Sequence, residues 1–460
     1  MSRLDQVNEL IAKRTEEPTL ARVRIEKLFD AESFVEIGRY NDAAGVITGY
    51  GTINGRLVFA YSQENAVNYA HAKKIGNIYA LALKMGAPIV GIMDSKGIIL
   101  EDGLDALQAY GMLFKVQSDA SGVIPQISLV VGDCIGISSM IPMLADFVIM
   151  AEENARMFMM SPSVFGGLEG KTSTYSSVGG AETHKRSTGL VHCTCKTEDD
   201  CFENAVNLLS YLPDNNLDGV FPEESSDDLN RVDEALNTIV PENNEDAVDM
   251  KYIITSIADN AKFFEIHKGF VDNVMTGFIK LDGISAGIIS CTGEFTLSAC
   301  QKMGEFVNIC DAFNIPLITL TDVRGYKREY EQEHYGITSY AAKLLYAFAN
   351  ATVPKINLII RNGIGSPYLI MNSKHIGADV VYAWPSAVLS LMDKKAQVKV
   401  LDTSAEEYDE KSSPYSVATQ GYIDNILVPS NTRKRLISAM EMLLTKRESK
   451  PSRKHSSIEF

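Results

Sequence analysis

Two glycine-rich turns carry the most suggestive chemistry in this sequence. Gly132-Asp133-Cys134-Ile135-Gly136-Ile137-Ser138 and Arg361-Asn362-Gly363-Ile364-Gly365-Ser366-Pro367 each stand where an apolar, β-branched run gives way to a helical pattern. Small residues let a ligand approach the backbone, and the first N–H groups of a helix have no acceptor inside it. Donors of that kind, aimed at one point, stabilise negative charge on oxygen and so form an oxyanion hole. Gly136, Ile137, Gly365 and Ser366 are the candidate donors. Two further turns, Asp94-Ser95-Lys96-Gly97-Ile98 and Asp322-Val323-Arg324-Gly325-Tyr326, follow neighbouring apolar runs and would lie beside the first two in an open parallel sheet. Gly97, Ile98 and Gly325 could therefore complete each hole. Taken singly, tight-turn chemistry explains each segment as well, and Asp94 and Asp322 read more readily as turn or cap residues than as catalysts. It is the duplication that favours a site.

Side-chain catalysts are harder to find. His71, His184, His192, His267, His334, His375 and His455 form no His-x-x-x-His pair. The seven cysteines are odd in number, and Cys193-x-Cys195 lacks the second pair that a zinc site needs, so neither disulfides nor a metal is expected. The stretch around Ser161 and Ser163 contains no Gly-x-Ser-x-Gly elbow, and no Gly-x-x-x-x-Gly-Lys-Ser/Thr phosphate loop occurs. His71, Lys73 and Lys74 open a helical pattern and could hold an anionic cofactor, although a solvated helix face accounts for them equally well.

The elements that must position these turns come in two copies. Val46-Ile47-Thr48-Gly49, Gly55, Ser62, Lys74-Ile75-Gly76, Pro88, Asp94 and Gly97 answer at constant spacing to Val274-Met275-Thr276-Gly277, Gly283, Ser290, Lys302-Met303-Gly304, Pro316, Asp322 and Gly325. One residue of slip then matches Pro125 to Pro354 and Gly136 to Gly365. Within each half a helical stretch, Ala70 to Met85 or Cys300 to Phe313, precedes a buried strand, and a second strand runs from Pro125 or Pro354 into the glycine-rich turn. Repeated strand–helix units predict an α/β fold with parallel sheets under helical cover. The polar stretch from Pro213 to Asp249, broken by Pro222 and Pro241, separates the halves, with domains expected at residues 1–244 and 245–460.

Composition narrows the function. A net charge of −16, from 43 basic and 59 acidic residues, disfavours general nucleic-acid binding. The charged N-terminal stretch has no signal-peptide core, and the longest apolar tract, Ile127 to Met150, is broken by Asp133, Pro142 and Asp146, so it reads as buried core in a cytoplasmic protein.

Further segments point to a family. Ala21-Arg22-Val23-Arg24-Ile25, Gly49-Tyr50-Gly51-Thr52-Ile53-Asn54-Gly55, Cys310-Asp311-Ala312-Phe313-Asn314-Ile315-Pro316, Ala342-Lys343-Leu344-Leu345-Tyr346-Ala347, Ser373-Lys374-His375-Ile376-Gly377-Ala378-Asp379 and Ala383-Trp384-Pro385 resemble the carboxyltransferase subunit of biotin-dependent acyl-CoA carboxylases and decarboxylases. The resemblance covers nearly the whole chain and implies two tandem ClpP/crotonase-like domains, each a ββα spiral superhelix. It implies transfer of a carboxyl group between carboxybiotin, held on a separate biotin carboxyl carrier protein, and an acyl-CoA. The N-terminal domain would receive CoA and the C-terminal domain of a partner subunit would receive biotin, with Tyr368 beside it. A homo-oligomer follows, a dimer or trimer of dimers with active sites at the dimer interface, and the decarboxylase branch adds a membrane subunit.

The departures from the family fall at the turns. Gly136-Ile137-Ser138 stands where the family has Gly-Gly-Ala, and Gly365-Ser366-Pro367 ends in a residue without an N–H. Lys96-Gly97-Ile98-Ile99 replaces a Gly-Gly-Ala-Arg type segment. An active carboxyltransferase of unusual acyl specificity is one reading, and a non-catalytic subunit that assembles with an active paralogue is another. A third, thioester hydration or hydrolysis without biotin, would require Glu101 as its carboxylate.

Overall fold

The computed structural model describes residues 2–16, 18–40, 45–169, 173–220, 222–244 and 246–458. The chain divides into two compact units, residues 1–218 and 219–460. In the N-terminal unit the strands are β1 (Val35–Ile37), β2 (Val46–Ile53), β3 (Arg56–Gln63), β4 (Ile89–Ser95), β5 (Gln126–Ile135), β6 (Phe147–Ala151), β7 (Arg156–Phe158) and β8 (Cys193–Cys195). They form one eight-stranded sheet in the order β1-β2-β3-β4-β5-β6-β8, with β7 paired to β5. The first three strands are antiparallel neighbours, and from β3 onward the pairs are parallel.

The C-terminal unit repeats the plan. Its strands β9 (Phe264–Ile266), β10 (Val274–Leu281), β11 (Ile284–Phe295), β12 (Leu317–Tyr326), β13 (Lys355–Ile364), β14 (Val380–Ala383), β15 (Val388–Ser390) and β16 (Asn425–Ile426) follow the order β16-β14-β13-β12-β11-β10-β9, with β15 on β13. Hairpin, helix, parallel strand is the ββα unit expected for crotonase-like domains.

Local chemistry explains both hairpins. Asn54-Gly55 and Asp282-Gly283 are two-residue turns with positive φ at both positions, 50° and 78° in the first, 51° and 75° in the second, the twist-matched type I′ geometry. An aspartate staples each one. Asp30 accepts the N–H groups of Asn54 and Gly55, both at 3.0 Å, and Asp259 accepts those of Asp282 at 3.0 Å and Gly283 at 2.8 Å.

The helices after the hairpins form where the periodicity predicts. Helix α1 (Tyr69–Met85) starts at Asn68, whose side chain accepts the His71 N–H at 3.0 Å, and stops at Gly86 in the left-handed region. Its buried stripe includes Ala72, Ile75, Ile78, Tyr79 and Ala82. Helix α2 (Leu104–Ala120) packs beside it. In the second unit α3 (Leu297–Ala312) begins at the Thr296 cap and packs against α4 (Ile337–Asn350). The short helix α5 (Gly365–Ile370) follows β13.

The domain boundary moves from the expected 244/245 to between Asp218 and Gly219. Glu245 itself lies outside the described residues. The polar segment after Gly219 is fastened to the second unit rather than linking two bodies. Glu223 donates its N–H to Gly283 O at 3.1 Å, Arg231 reaches Ser256 O at 2.8 Å, and Leu236 and Val248 enter the second core with Ile254, Ile288 and Trp384. Composition reported exposure but not attachment. The Ile127–Met150 tract is distributed over β5, a short helical turn and β6; its two strands are buried core, as expected, while Met140 and Met143 in the turn between them are exposed. Among the described residues no helix is long and apolar enough to cross a membrane.

The basic C-terminal run closes over the end of α4. Lys450 and Lys446 donate to the carbonyls of Ala349 and, just past the helix, Val353 at 3.2 and 3.0 Å, Arg453 holds the Asn350 side chain, and Lys355 of β13 joins them on Phe348 O at 2.8 Å. Cations at a helix C-terminus complement its dipole and satisfy its last carbonyls.

Candidate active site

Both glycine-rich turns begin later than the sequence suggests. β5 continues through Ile135 and β13 through Ile364, so only Gly136 (φ 63°) and Gly365 (φ 71°) turn the chain. The strands are prolonged because Asp94 accepts the Asp133 N–H at 3.2 Å and Asp322 accepts the Asn362 N–H at 3.0 Å, in equivalent positions of the two copies. Arg24 neutralises Asp94 at 2.8 Å, and Arg361 neutralises the fully buried Asp322 at 2.9 Å. The two aspartates are anchors, in keeping with the structural reading of them.

In the N-terminal unit the two turns touch. A Cβ on Gly97 would stand 3.1 Å from Ile135 O, while one on Gly136 would meet nothing within 4 Å. Gly136 thus borders open space at the carboxyl ends of β4 and β5, where ligands bind in open α/β sheets. Gly136 and Ile137 begin the short turn Gly136–Ser139, and their N–H groups precede its first internal acceptor.

Gly97 behaves differently from expectation. Its N–H is taken by Ser95 Oγ at 3.3 Å, so it is not a free donor, and its carbonyl accepts from Val67 N–H and from Tyr110 Oη, both at 2.9 Å. The isolated bridge between Val67 and Ile98 leaves the Ile98 N–H on the side away from Val67. Ser138 Oγ, buried beneath, contacts Tyr110 Oη and lies 3.2 Å from Ser95 Oγ. Ile98, Gly136 and Ile137 are then the donors with free direction, and Gly97 supplies the conformation (φ 95°).

The C-terminal unit keeps the same frame. Glu294 pairs with Gly325 and Phe295 with Tyr326, and Lys327 N–H bonds Phe295 O at 2.9 Å, the counterpart of the Val67 bridge. Gly325 has φ 128° and borders open space. In α5 Gly365, Ser366 and Pro367 are the first three positions, so the third donor is missing and Pro367 is buried against the fold. Burial raises the pKa of the Tyr326 phenol, which faces the Ser366 hydroxyl.

Below α5 lies a cavity of about 390 Å³. Gly365, Tyr368 and Leu369, on one face of the helix, line it with His375, Leu389 and Tyr422. The Tyr368 ring meets His375 edge-on at 6.3 Å, and His375 meets Tyr422 at 4.9 Å. The Tyr368 hydroxyl is buried without a hydrogen-bond partner among the described residues, and desolvation pushes its pKa up to about 12.

The basic residues at the start of α1 do not gather at a site. Lys74 is buried and turns inward, its ammonium on Val46 O at 2.7 Å, and its repeat Lys302 binds the carbonyls of His267, Phe270 and Val274 at 3.0, 2.7 and 2.7 Å. This corrects the cofactor-binding expectation for Lys74, whose ammonium is held by the first carbonyl of β2, as that of Lys302 is by carbonyls at and before the start of β10. His71 is buried as well, while Lys73 is exposed. Glu101 is exposed in the turn Leu100–Asp102. Sequence reasoning missed Tyr110, Ser95 and Ser138. The only signal for Tyr110 was a tyrosine on the apolar stripe Ala106, Ala109, Leu113, where a buried hydroxyl must find an acceptor.

The carboxyl transferase domain family matches residues 13–458. The chain is 38% identical to the methylmalonyl-CoA decarboxylase subunit alpha of Veillonella parvula, over 95% of this chain and 92% of that one. It is 37% identical to the propionyl-CoA carboxylase beta chain of Saccharopolyspora erythraea, over 95% and 90%. Among solved structures it superposes on a chain of transcarboxylase 12S, a hexamer crystallised with methylmalonyl-coenzyme A, with a TM-score of 0.93, 33% identity and coverage of 99% and 98%.

Proposed function

That this chain belongs to the carboxyl transferase domain family is the premise from which we propose how its two units divide the work. The chain is an acyl-CoA carboxyltransferase. The observation that carries the proposal is the pair of crossovers: Gly136 in the first and Gly325 in the second border open space, each beside the N–H groups that begin a helical turn, and Gly365 lines the cavity of the second unit.

The N-terminal unit takes the acyl-CoA. As the α-carbon gains carbanion character, electron density moves onto the thioester oxygen. The N–H groups of Ile98, Gly136 and Ile137 are fixed before that charge arrives, so they stabilise the enolate more than the neutral thioester. The Ile137 side chain, half-buried at the turn, narrows this end of the pocket.

The C-terminal unit takes biotin from a carrier protein. Its cavity suits a flat ring system: Leu369, Leu389, Leu391 and Val417 supply apolar walls, and the unpartnered Tyr368 hydroxyl needs an acceptor such as a ureido carbonyl. When bound, carboxybiotin supplies the carbon dioxide and the base for the α-proton. Gly325, Gly365 and Ser366 frame the oxygen side of that ligand. A homo-oligomer brings the N-terminal unit of one subunit to the C-terminal unit of another, and a membrane decarboxylase subunit would belong to the assembly only where the reaction runs toward decarboxylation.

The test uses the full chain with free biotin and malonyl-, methylmalonyl- or glutaconyl-CoA. Biotin-dependent loss of carbon dioxide from at least one is expected. No decarboxylation of any of the three, with no CoA binding, defeats the proposal. The non-catalytic alternative is not favoured, because the similarity runs the length of carboxylase and decarboxylase chains.

A further inference from the structure

A closed circuit of hydrogen bonds starts and ends at Gly97. Gly97 N lies 3.3 Å from Ser95 Oγ, Ser95 Oγ lies 3.2 Å from Ser138 Oγ, Ser138 Oγ contacts Tyr110 Oη, and Tyr110 Oη lies 2.9 Å from Gly97 O. All three hydroxyls belong to fully buried residues. Proton counting fixes the direction. The carbonyl can only accept, so Tyr110 donates its one proton to Gly97 O. Tyr110 must then accept from Ser138, Ser138 from Ser95, and Ser95 from the Gly97 N–H. Every hydroxyl donates once and accepts once.

This circuit sets a peptide plane. Gly97 O has both lone pairs engaged, by Tyr110 Oη and by Val67 N–H. The peptide bond from Gly97 to Ile98 is trans and planar, so the Ile98 N–H points opposite to that carbonyl, away from the core. A glycine at φ 95° would otherwise let the plane rotate, since no Cβ restrains it. Gly97 also abuts Ile135 O, so the Ile98 N–H emerges beside the turn that begins at Gly136.

We infer that Tyr110, acting with Ser138 and Ser95, is a positioning residue of the acyl-side oxyanion hole: it holds the Gly97–Ile98 peptide so that the Ile98 N–H meets the thioester oxygen. The inference rests on the reading that the N-terminal unit receives the acyl thioester. Tyr110 never touches the substrate. Its contribution is to prevent a peptide flip that would present a carbonyl to the developing oxyanion. Ser138 is the middle of the circuit, so loss of its hydroxyl leaves the direct bond from Tyr110 to Gly97 O in place.

Tyr110→Phe tests this in the full chain. Losing an oxyanion donor outright costs about 10²–10³-fold in kcat, and a donor that is misaimed part of the time should cost about tenfold or more. The Kd for the substrate acyl-CoA should not change. Affinity for a nitronate-bearing CoA analogue, whose charged oxygens mimic the enolate, should fall by the same factor as kcat. Ser138→Ala should give a smaller loss with the same pattern, and it decides the matter if Tyr110→Phe fails to fold. Unchanged kcat and nitronate affinity in a folded variant overturn the inference. So does an equal loss of substrate and nitronate affinity, which a general structural role would produce. A wild-type chain that neither binds CoA nor decarboxylates any thioester overturns the acyl-side reading itself, a result distinct from a loss confined to the variants.

Discussion

Pro367 occupies the third position of α5, where an ordinary residue would offer a free N–H beside Gly365 and Ser366. Pro367→Ala restores that donor, and biotin-dependent turnover is expected to rise about tenfold or more. A rate unchanged or lowered in steady-state assays would show that two amides suffice. Asp146 gives a second residue-scale prediction. It accepts the Gln126 N–H at 2.8 Å, as Asp379 accepts that of Lys355, but Asp379 has Lys446 at 2.8 Å. Desolvation, partly offset by the Gln126 N–H, pushes the Asp146 carboxyl up to about 7. A folded pKa raised above the unfolded value means that the folded state binds more protons between them, so stability falls as pH rises from about 4 to about 7. Asp146→Asn should remove that slope, leaving the variant more stable than wild type at pH 8 and similar to it at pH 4 in urea titrations. The turns at Ile98, Gly136 and Gly365 were legible because turn spacing and duplication depend on neighbours in sequence. The Ser95–Ser138–Tyr110 circuit was not, since α2 brings its tyrosine to the turns only through packing. Lys74 misled for the same reason: a lysine opening a helix looks exposed until packing brings the Val46 carbonyl of β2 onto it.

The duplicated hairpins show that identical local chemistry can be unequally buttressed. Gly55 and Gly283 share the same left-handed geometry, yet a Cβ on Gly55 would meet open space, whereas one on Gly283 would stand 1.8 Å from Glu223 O. Gly55→Ala should therefore cost only the backbone strain, about 1 kcal/mol. Gly283→Ala must also displace the segment that fastens residues after 219 to the second unit, and its loss should be at least twice as large in denaturant melts. Equal losses would mean that the Glu223 contact is easily moved. Strands and helices were read correctly in kind, because alternation and 3.6-residue stripes are local. Their ends were not: β5 and β13 run on through glycine-containing segments because an aspartate on the adjacent strand holds the next N–H.

At the scale of the molecule, the two-copy plan followed from the repeat alone, but the boundary did not, because polar composition cannot distinguish a linker from an exposed segment tied down by backbone bonds. Leu100 and Leu104 in the first unit and Leu391 in the second are each more than three-quarters exposed, at 77%, 81% and 76%. Leu100 and Leu104 are where the homo-oligomer proposed above would find apolar side chains to bury. Leu104→Asp is expected to shift the chain to a smaller species in sedimentation and to lower turnover together with assembly; an unchanged sedimentation profile would remove this face from the interface. Finally, Lys74 and Lys302 are buried with their ammonium groups on main-chain carbonyls at the start of a hairpin, while Lys73 stands in solvent. An amine-reactive label would mark Lys73 at once but the other two only when those carbonyl contacts open, so mass spectrometry of the labelled peptides would time the opening of each half separately.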